Sequence, residues 1–139
     1  MDDVRKQQER ILVNYFLETC EDAPAGKLIS GESPDFILRT SRKYAIGIEL
    51  TEISEPGTAD EMEVLVERLR EALEKKEHKL ALYRKKRLDK YWLVITAENL
   101  DGLDAVKAAE YFNRKAWSSD FHRIYLFDLF EGRLAVIKK

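Results

Sequence analysis

The chain switches between two hydrophobic periods, and each switch marks an element. Over residues 2–21, Val4, Ile11, Leu12, Tyr15 and Phe16 fall on one stripe at helical spacing, with Glu9 at its border. Ala23-Pro24-Ala25-Gly26 then breaks the helix. Residues 27–30 read as a short strand, and 35–40 with 44–52 as a hairpin around Ser41-Arg42-Lys43. In its second strand Ile46, Ile48 and Leu50 share a core face. Ala45, Gly47, Glu49 and Thr51 share the other, a face of small residues with Glu49 as its main polar feature.

A loop at Glu55-Pro56-Gly57-Thr58 leads into a long helix over about residues 59–87. Its stripe is Met62, Leu65, Val66, Leu69, Leu73, Leu80 and Tyr83. Residues 91–97 are continuously apolar, as a strand buried on both faces requires. Residues 103–117 predict a third helix, with Asp101-Gly102 near its start. Residues 122–129 and 133–137 predict a closing hairpin through Glu131-Gly132. This order predicts one α/β domain over residues 1–139, a three-layer fold with a mixed central sheet flanked by helices.

Composition removes several classes of function. Hydrophobic residues are 45% and charged residues 36%, a folded rather than a disordered balance. No run approaches the roughly 18 apolar residues of a membrane span. The charged start, Met1-Asp2-Asp3-Val4-Arg5, lacks a signal peptide's apolar core, so the expected location is cytoplasmic, with no membrane partner. One cysteine, Cys20, excludes an internal disulfide and a cysteine-based zinc cage, and suits a small buried hydrophobe.

A net charge of −2 argues against a non-specific nucleic-acid coat, yet leaves room for a local basic patch. Arg84-Lys85-Lys86-Arg87 suits either a helix C-terminus or contact with phosphates, and Arg42 and Lys43 could extend it. His78 and His122 have no partner at metal-ligand spacing, and Trp92 and Trp117 read as core. No glycine-rich phosphate loop, serine elbow or zinc motif is present.

The chemistry concentrates on two acids. With a tight turn over residues 40–43, Asp35 falls opposite residue 48, or opposite Glu49 after a one-residue adjustment. Two carboxylates among apolar strands repel each other and call for a shared proton, a cationic side chain or a divalent metal. Oxygen ligands of this kind favour Mg²⁺ or Mn²⁺. The bland alternatives are a turn aspartate that satisfies backbone donors and a glutamate paired with an arginine such as Arg39.

Pro34-Asp35, a hairpin, then Glu49-Leu50-Thr51 resemble the PD-(D/E)XK signature of restriction-endonuclease-like nucleases. That superfamily orders its fold as a helix, a three-stranded meander, a helix and further strands, and residues 2–97 follow the same order. The resemblance implies that Asp35 and Glu49 hold a metal, with the Leu50 carbonyl available as a third ligand. It also implies that Glu9 is the acid many members carry on the first helix. Thr51 departs from the pattern, which has lysine there.

Some members of the superfamily supply that cation from a neighbouring helix. Lys76 continues the stripe of Leu69 and Leu73, and Lys79 borders it. A lysine in such a position either snorkels outward or meets a carboxylate. Lys79, freer to reach a cleft, is the first choice and Lys76 a close second. The implied function is metal-dependent hydrolysis of nucleic acid, DNA foremost. The alternative is an inactive nuclease-fold module that binds protein or nucleic acid, alone or as a homodimer.

Overall fold

The computed structural model describes residues 2–32, 34–53, 61–83, 88–100 and 102–139. Helix α1 (Asp2–Thr19) is followed by β1 (Lys27–Ser30), β2 (Phe36–Arg39) and β3 (Ala45–Ile53). Then come α2 (Glu61–Tyr83), β4 (Lys90–Ala97), α3 (Ala105–Asn113), β5 (Arg123–Asp128) and β6 (Arg133–Lys138). The six strands form one sheet in the order β1-β2-β3-β4-β5-β6. The first three make an antiparallel meander, β4 and β5 run parallel to β3, and β6 returns antiparallel.

Helices α2 and α3 are the two parallel crossovers. Crossovers of one hand that step in one direction put their helices on one face. Leu65, Leu69 and Leu73 of α2 and Ala105, Ala108 and Phe112 of α3 accordingly share a core with Leu93 and Ile95 of β4. The opposite face would stand bare without α1. Val13, Phe16 and Cys20 cover it, against Phe36, Ile48, Trp92 and Tyr125. Phe16 meets Tyr125 edge-on with ring centroids 5.1 Å apart. Both faces of β3 and β4 are therefore covered, which explains the unbroken burial of residues 45–50 and 91–97.

Three expectations need correction. The buried stripe of α1 is not the expected one: Val4, Ile11 and Tyr15 are exposed at 55%, 67% and 38%. Phe16 of that stripe does face the sheet, but with Val13 and Cys20 as its companions, and Leu12 and Leu17 are half-buried beside them. Helical spacing alone admits more than one stripe, and packing on the aromatic face of Phe36, Trp92 and Tyr125 selects the one with Val13 and Cys20. Helix α1 also ends at Thr19, two residues short of position 21. Helix α3 spans Ala105–Asn113, shorter at both ends than residues 103–117. Asp104 starts it by accepting from the Val106 and Lys107 amides, and Trp117 folds back on Phe112 with centroids 5.2 Å apart. The loop at 55–58, the basic run at 84–87 and Asp101 lie outside the described residues.

Two predictions arise from this frame. A Cβ on Gly47 would meet Leu88 Cδ1 at 2.8 Å and Pro34 Cγ at 2.9 Å. The leucine tip can turn aside, but the proline ring is tied to Asp35. Gly47→Ala should cost about 1–2 kcal/mol in urea unfolding. The Val106 amide, then Lys107 and Arg133, hold the Asp104 carboxyl below its ordinary value. A depressed value stabilises the fold above the ordinary aspartate value of about 3.9, and that part is lost as pH falls through the folded value. Asp104→Asn keeps a capping oxygen but not the charge. Its melting temperature should fall below the wild type at neutral pH, and the two should converge in acid.

Candidate metal and phosphodiester site

The turn between β2 and β3 sets the geometry of the acids. Thr40 N donates to Tyr44 O at 3.1 Å, so the loop is Ser41-Arg42-Lys43 and Arg39 pairs with Ala45. The register runs to Phe36 opposite Ile48, and one more step sets Asp35 opposite Glu49. No bulge is needed, contrary to the tight-turn reading, because the loop is one residue longer than that turn assumed. Directly opposed residues of an antiparallel pair share a face.

At this step the side chains replace the backbone ladder. Asp35 N donates to Glu49 Oε2 at 3.1 Å, and Leu50 N donates to Asp35 Oδ2 at 2.9 Å. Each acid thus fixes the other's strand. Glu49 is almost wholly buried, at 3% exposure. A carboxylate at that depth needs a cation.

Lys76 supplies it. Leu69, Leu73 and Leu80 of α2 are buried against the sheet, and Lys76 lies on the same stripe. Its Nζ donates to Glu49 Oε1 at 2.7 Å. Lys79, the first choice on sequence, is exposed. Glu49 lies under α2 rather than at its flank, so a lysine of the core-facing stripe reaches it and one at the border faces water.

Helix α1 adds a second cation and a third acid. Its buried stripe of Cys20, Phe16 and Val13 continues toward the N-terminus through Glu9 and Lys6, both half-buried. Lys6 Nζ lies 3.1 Å from the Asp35 carbonyl, 3.8 Å from Asp35 Oδ1 and 3.6 Å from Glu9 Oε1. It also stands 4.8 Å from the centre of the Phe36 ring. Sequence reasoning missed Lys6. The signal was present, since Lys6 precedes Glu9, Val13 and Phe16 by three, seven and ten residues, but the stripe chosen for α1 pointed elsewhere.

Asp35, Glu49, Glu9 and Lys76 are therefore brought to one neighbourhood, and Lys79 is not. A cleft of about 350 Å³ opens there, lined by Glu9, Leu50, Thr51, Glu52, Lys75 and Lys76. A smaller one of about 200 Å³, lined by Arg5, Lys6, Glu9, Glu32 and Asp35, adjoins it through Arg5 and Glu9. Thr51, in the position where the signature has lysine, lines the cleft half-buried. Larger clefts lie elsewhere, at the start of α3 and beside Trp117, away from the acids.

The donor set fits a hard divalent cation in kind, with carboxylate oxygens from two strands and a helix. As arranged, no group of three acids, histidines or cysteines closes into a ready-made cage among the described residues. The other sequence candidates take structural places. His122 Nδ1 accepts from Tyr91 N at 3.0 Å, Trp92 is core, and Arg39 is exposed and donates to the Arg42 carbonyl. No helix of the described residues is long and apolar enough to cross a membrane. Comparison with family models, with curated proteins and with solved structures finds no match to the chain.

Proposed function

We propose that the chain is a metal-dependent nuclease of restriction-endonuclease-like fold that hydrolyses phosphodiester bonds in DNA. One observation carries the reading: the cross-strand pair Asp35 and Glu49, with Lys76 of the crossover helix donating to Glu49 at 2.7 Å. Carboxylates that could hold a cation and a lysine that could orient water or meet a phosphate are what this chemistry uses, and Asp35 and Lys76 line adjoining clefts with Glu49 between them. The element order, a helix, an antiparallel meander, a helix and a parallel strand, supports it.

Asp35 and Glu49, with Glu9 beside them, are the residues that would hold Mg²⁺ or Mn²⁺. The bound cation supplies a more acidic water and stabilises charge on the phosphodiester. Lys76 is a donor: an ammonium has three N–H groups, and one is given to Glu49. The others are free in kind to orient water or to meet a phosphoryl oxygen. Glu49 thus fixes the lysine that the strand itself lacks. Arg5 and Lys75 line the same cleft and offer charge to flanking phosphates.

A binding-only module of the same fold is favoured by a different observation, Thr51 in the signature's lysine position. Incubating the chain with single-stranded, double-stranded and branched DNA, in Mn²⁺ or Mg²⁺ and in chelator, separates the readings. The nuclease reading expects cutting that stops with chelator. Calorimetric Mn²⁺ binding with no substrate cut would favour the binding module, and no Mn²⁺ binding would remove the metal site.

A further inference from the structure

We infer that Lys6 is an internal counter-ion occupying the cation seat between Glu9 and Asp35, and that a divalent metal must displace it to bind. The inference rests on the metal reading above. Three oxygens and a ring face converge on one point, and the ammonium stands there: the Asp35 carbonyl at 3.1 Å, Glu9 Oε1 at 3.6 Å, Asp35 Oδ1 at 3.8 Å and the Phe36 ring centre at 4.8 Å. Every one of these groups presents negative potential to a cation. The separations of 3.6 and 3.8 Å are those of a charge held between two acids, longer than a direct hydrogen bond to either.

The two lysines differ in how they are held. Lys76 has a side chain 12% exposed and makes a short bond to the buried Glu49. Lys6 has a side chain 30% exposed and hangs from the first turns of α1, beside the open cleft of Arg5 and Glu32. A flexible stem at a cleft mouth can swing into water and give up its place at little cost. Lys76 is held instead by its short bond to the buried Glu49. Lys6 is thus the cation that yields, and once displaced it stands beside the metal as a donor for a substrate phosphate. Its presence also keeps Glu9 and Asp35 from repelling each other before metal arrives.

Calorimetric titration of Mn²⁺ into wild type, Lys6→Met and Arg5→Met tests this. Arg5 also approaches Glu9, at 3.9 Å, but its side chain is 80% exposed, so it controls for the loss of a nearby charge. Lys6→Met should tighten Mn²⁺ by about tenfold or more, and Arg5→Met by less than about threefold. Equal tightening in both, or unchanged or weaker binding in Lys6→Met, would overturn the inference and leave the metal site standing. Absence of Mn²⁺ binding in wild type and variants alike would remove the site and the inference together. Should Lys6→Met fail to fold, Mg²⁺ titration of the wild type followed by NMR of the lysine Cε and Nζ atoms reads displacement directly. The Lys6 signals should move to those of a solvated lysine while those of Lys76 keep the signature of a held one. Mg²⁺ binding with unmoved Lys6 signals would refute it.

Discussion

Lys76→Met should destabilise the fold by about 3–5 kcal/mol, the range for removing one partner of a buried ion pair. Methionine matches the length of the lysine stem and keeps an apolar stem on the stripe of Leu73 and Leu80, so the cost isolates the charge. What remains is Glu49, buried under α2 with its Oε1 stripped of a donor at 2.7 Å and its Oε2 still bonded to Asp35 N. A buried carboxylate that loses its lysine keeps its charge and the desolvation cost that goes with it. One control makes the expectation specific. The double variant Glu49→Gln with Lys76→Met should return to within about 1 kcal/mol of wild type, because a neutral buried pair carries no desolvation debt. Urea unfolding of the three proteins decides it. A single-variant cost under about 1 kcal/mol would mean that water reaches the pair and that Lys76 is dispensable to the fold.

The same pair shows what the sequence made legible. Helical spacing alone put Lys76 on the line of Leu69, Leu73 and Leu80, and strand parity alone put Glu49 on the face away from Ile48. What neither could say is that α2 lies over that face of β3. The crossover between parallel strands decides it, and with it the choice of Lys76 over Lys79. Cross-strand register was nearly legible. The residues of the β2–β3 loop were visible, but whether Thr40 and Tyr44 pair or turn depends on one backbone bond, and that bond sets Asp35 opposite Glu49. The face of α1 was legible only in part: Phe16 lay on the expected stripe, Val13 and Cys20 did not. Val13 and Cys20 are smaller than Ile11 and Tyr15, yet they fit the aromatic floor of Phe36, Trp92 and Tyr125, a surface assembled from three different strands. Misreading that face hid Lys6, since only the true stripe runs on through Glu9 to it. Strand β4 was the easiest element, because a run buried on both sides needs no knowledge of which side meets what.

If the proposed nuclease reading holds, Asp35→Asn should remove DNA cleavage while leaving the fold in place, the opposite division of effects from Lys76→Met. Asparagine retains an oxygen that can accept from Leu50 N, the bond Asp35 Oδ2 makes at 2.9 Å. The amide that Asp35 gives to Glu49 belongs to the backbone and survives any side chain. Lys6 keeps its bond to the Asp35 carbonyl for the same reason. Unfolding free energy should therefore stay within about 1 kcal/mol of wild type. What the substitution removes is a formal charge among the oxygens proposed to hold the metal. Metal stabilisation of phosphodiester charge is worth several kcal/mol, so the rate should fall on the order of a thousandfold or more. Mn²⁺ affinity measured by calorimetry should fall with it. A folded Asp35→Asn that cuts at the wild-type rate would strip Asp35 of any role at the metal and leave it as the residue that ties β2 to β3. A folded variant with lost cleavage and lost Mn²⁺ binding would separate two duties of this aspartate, a structural one made by its backbone and acceptor geometry and a proposed metal-holding one made by its charge.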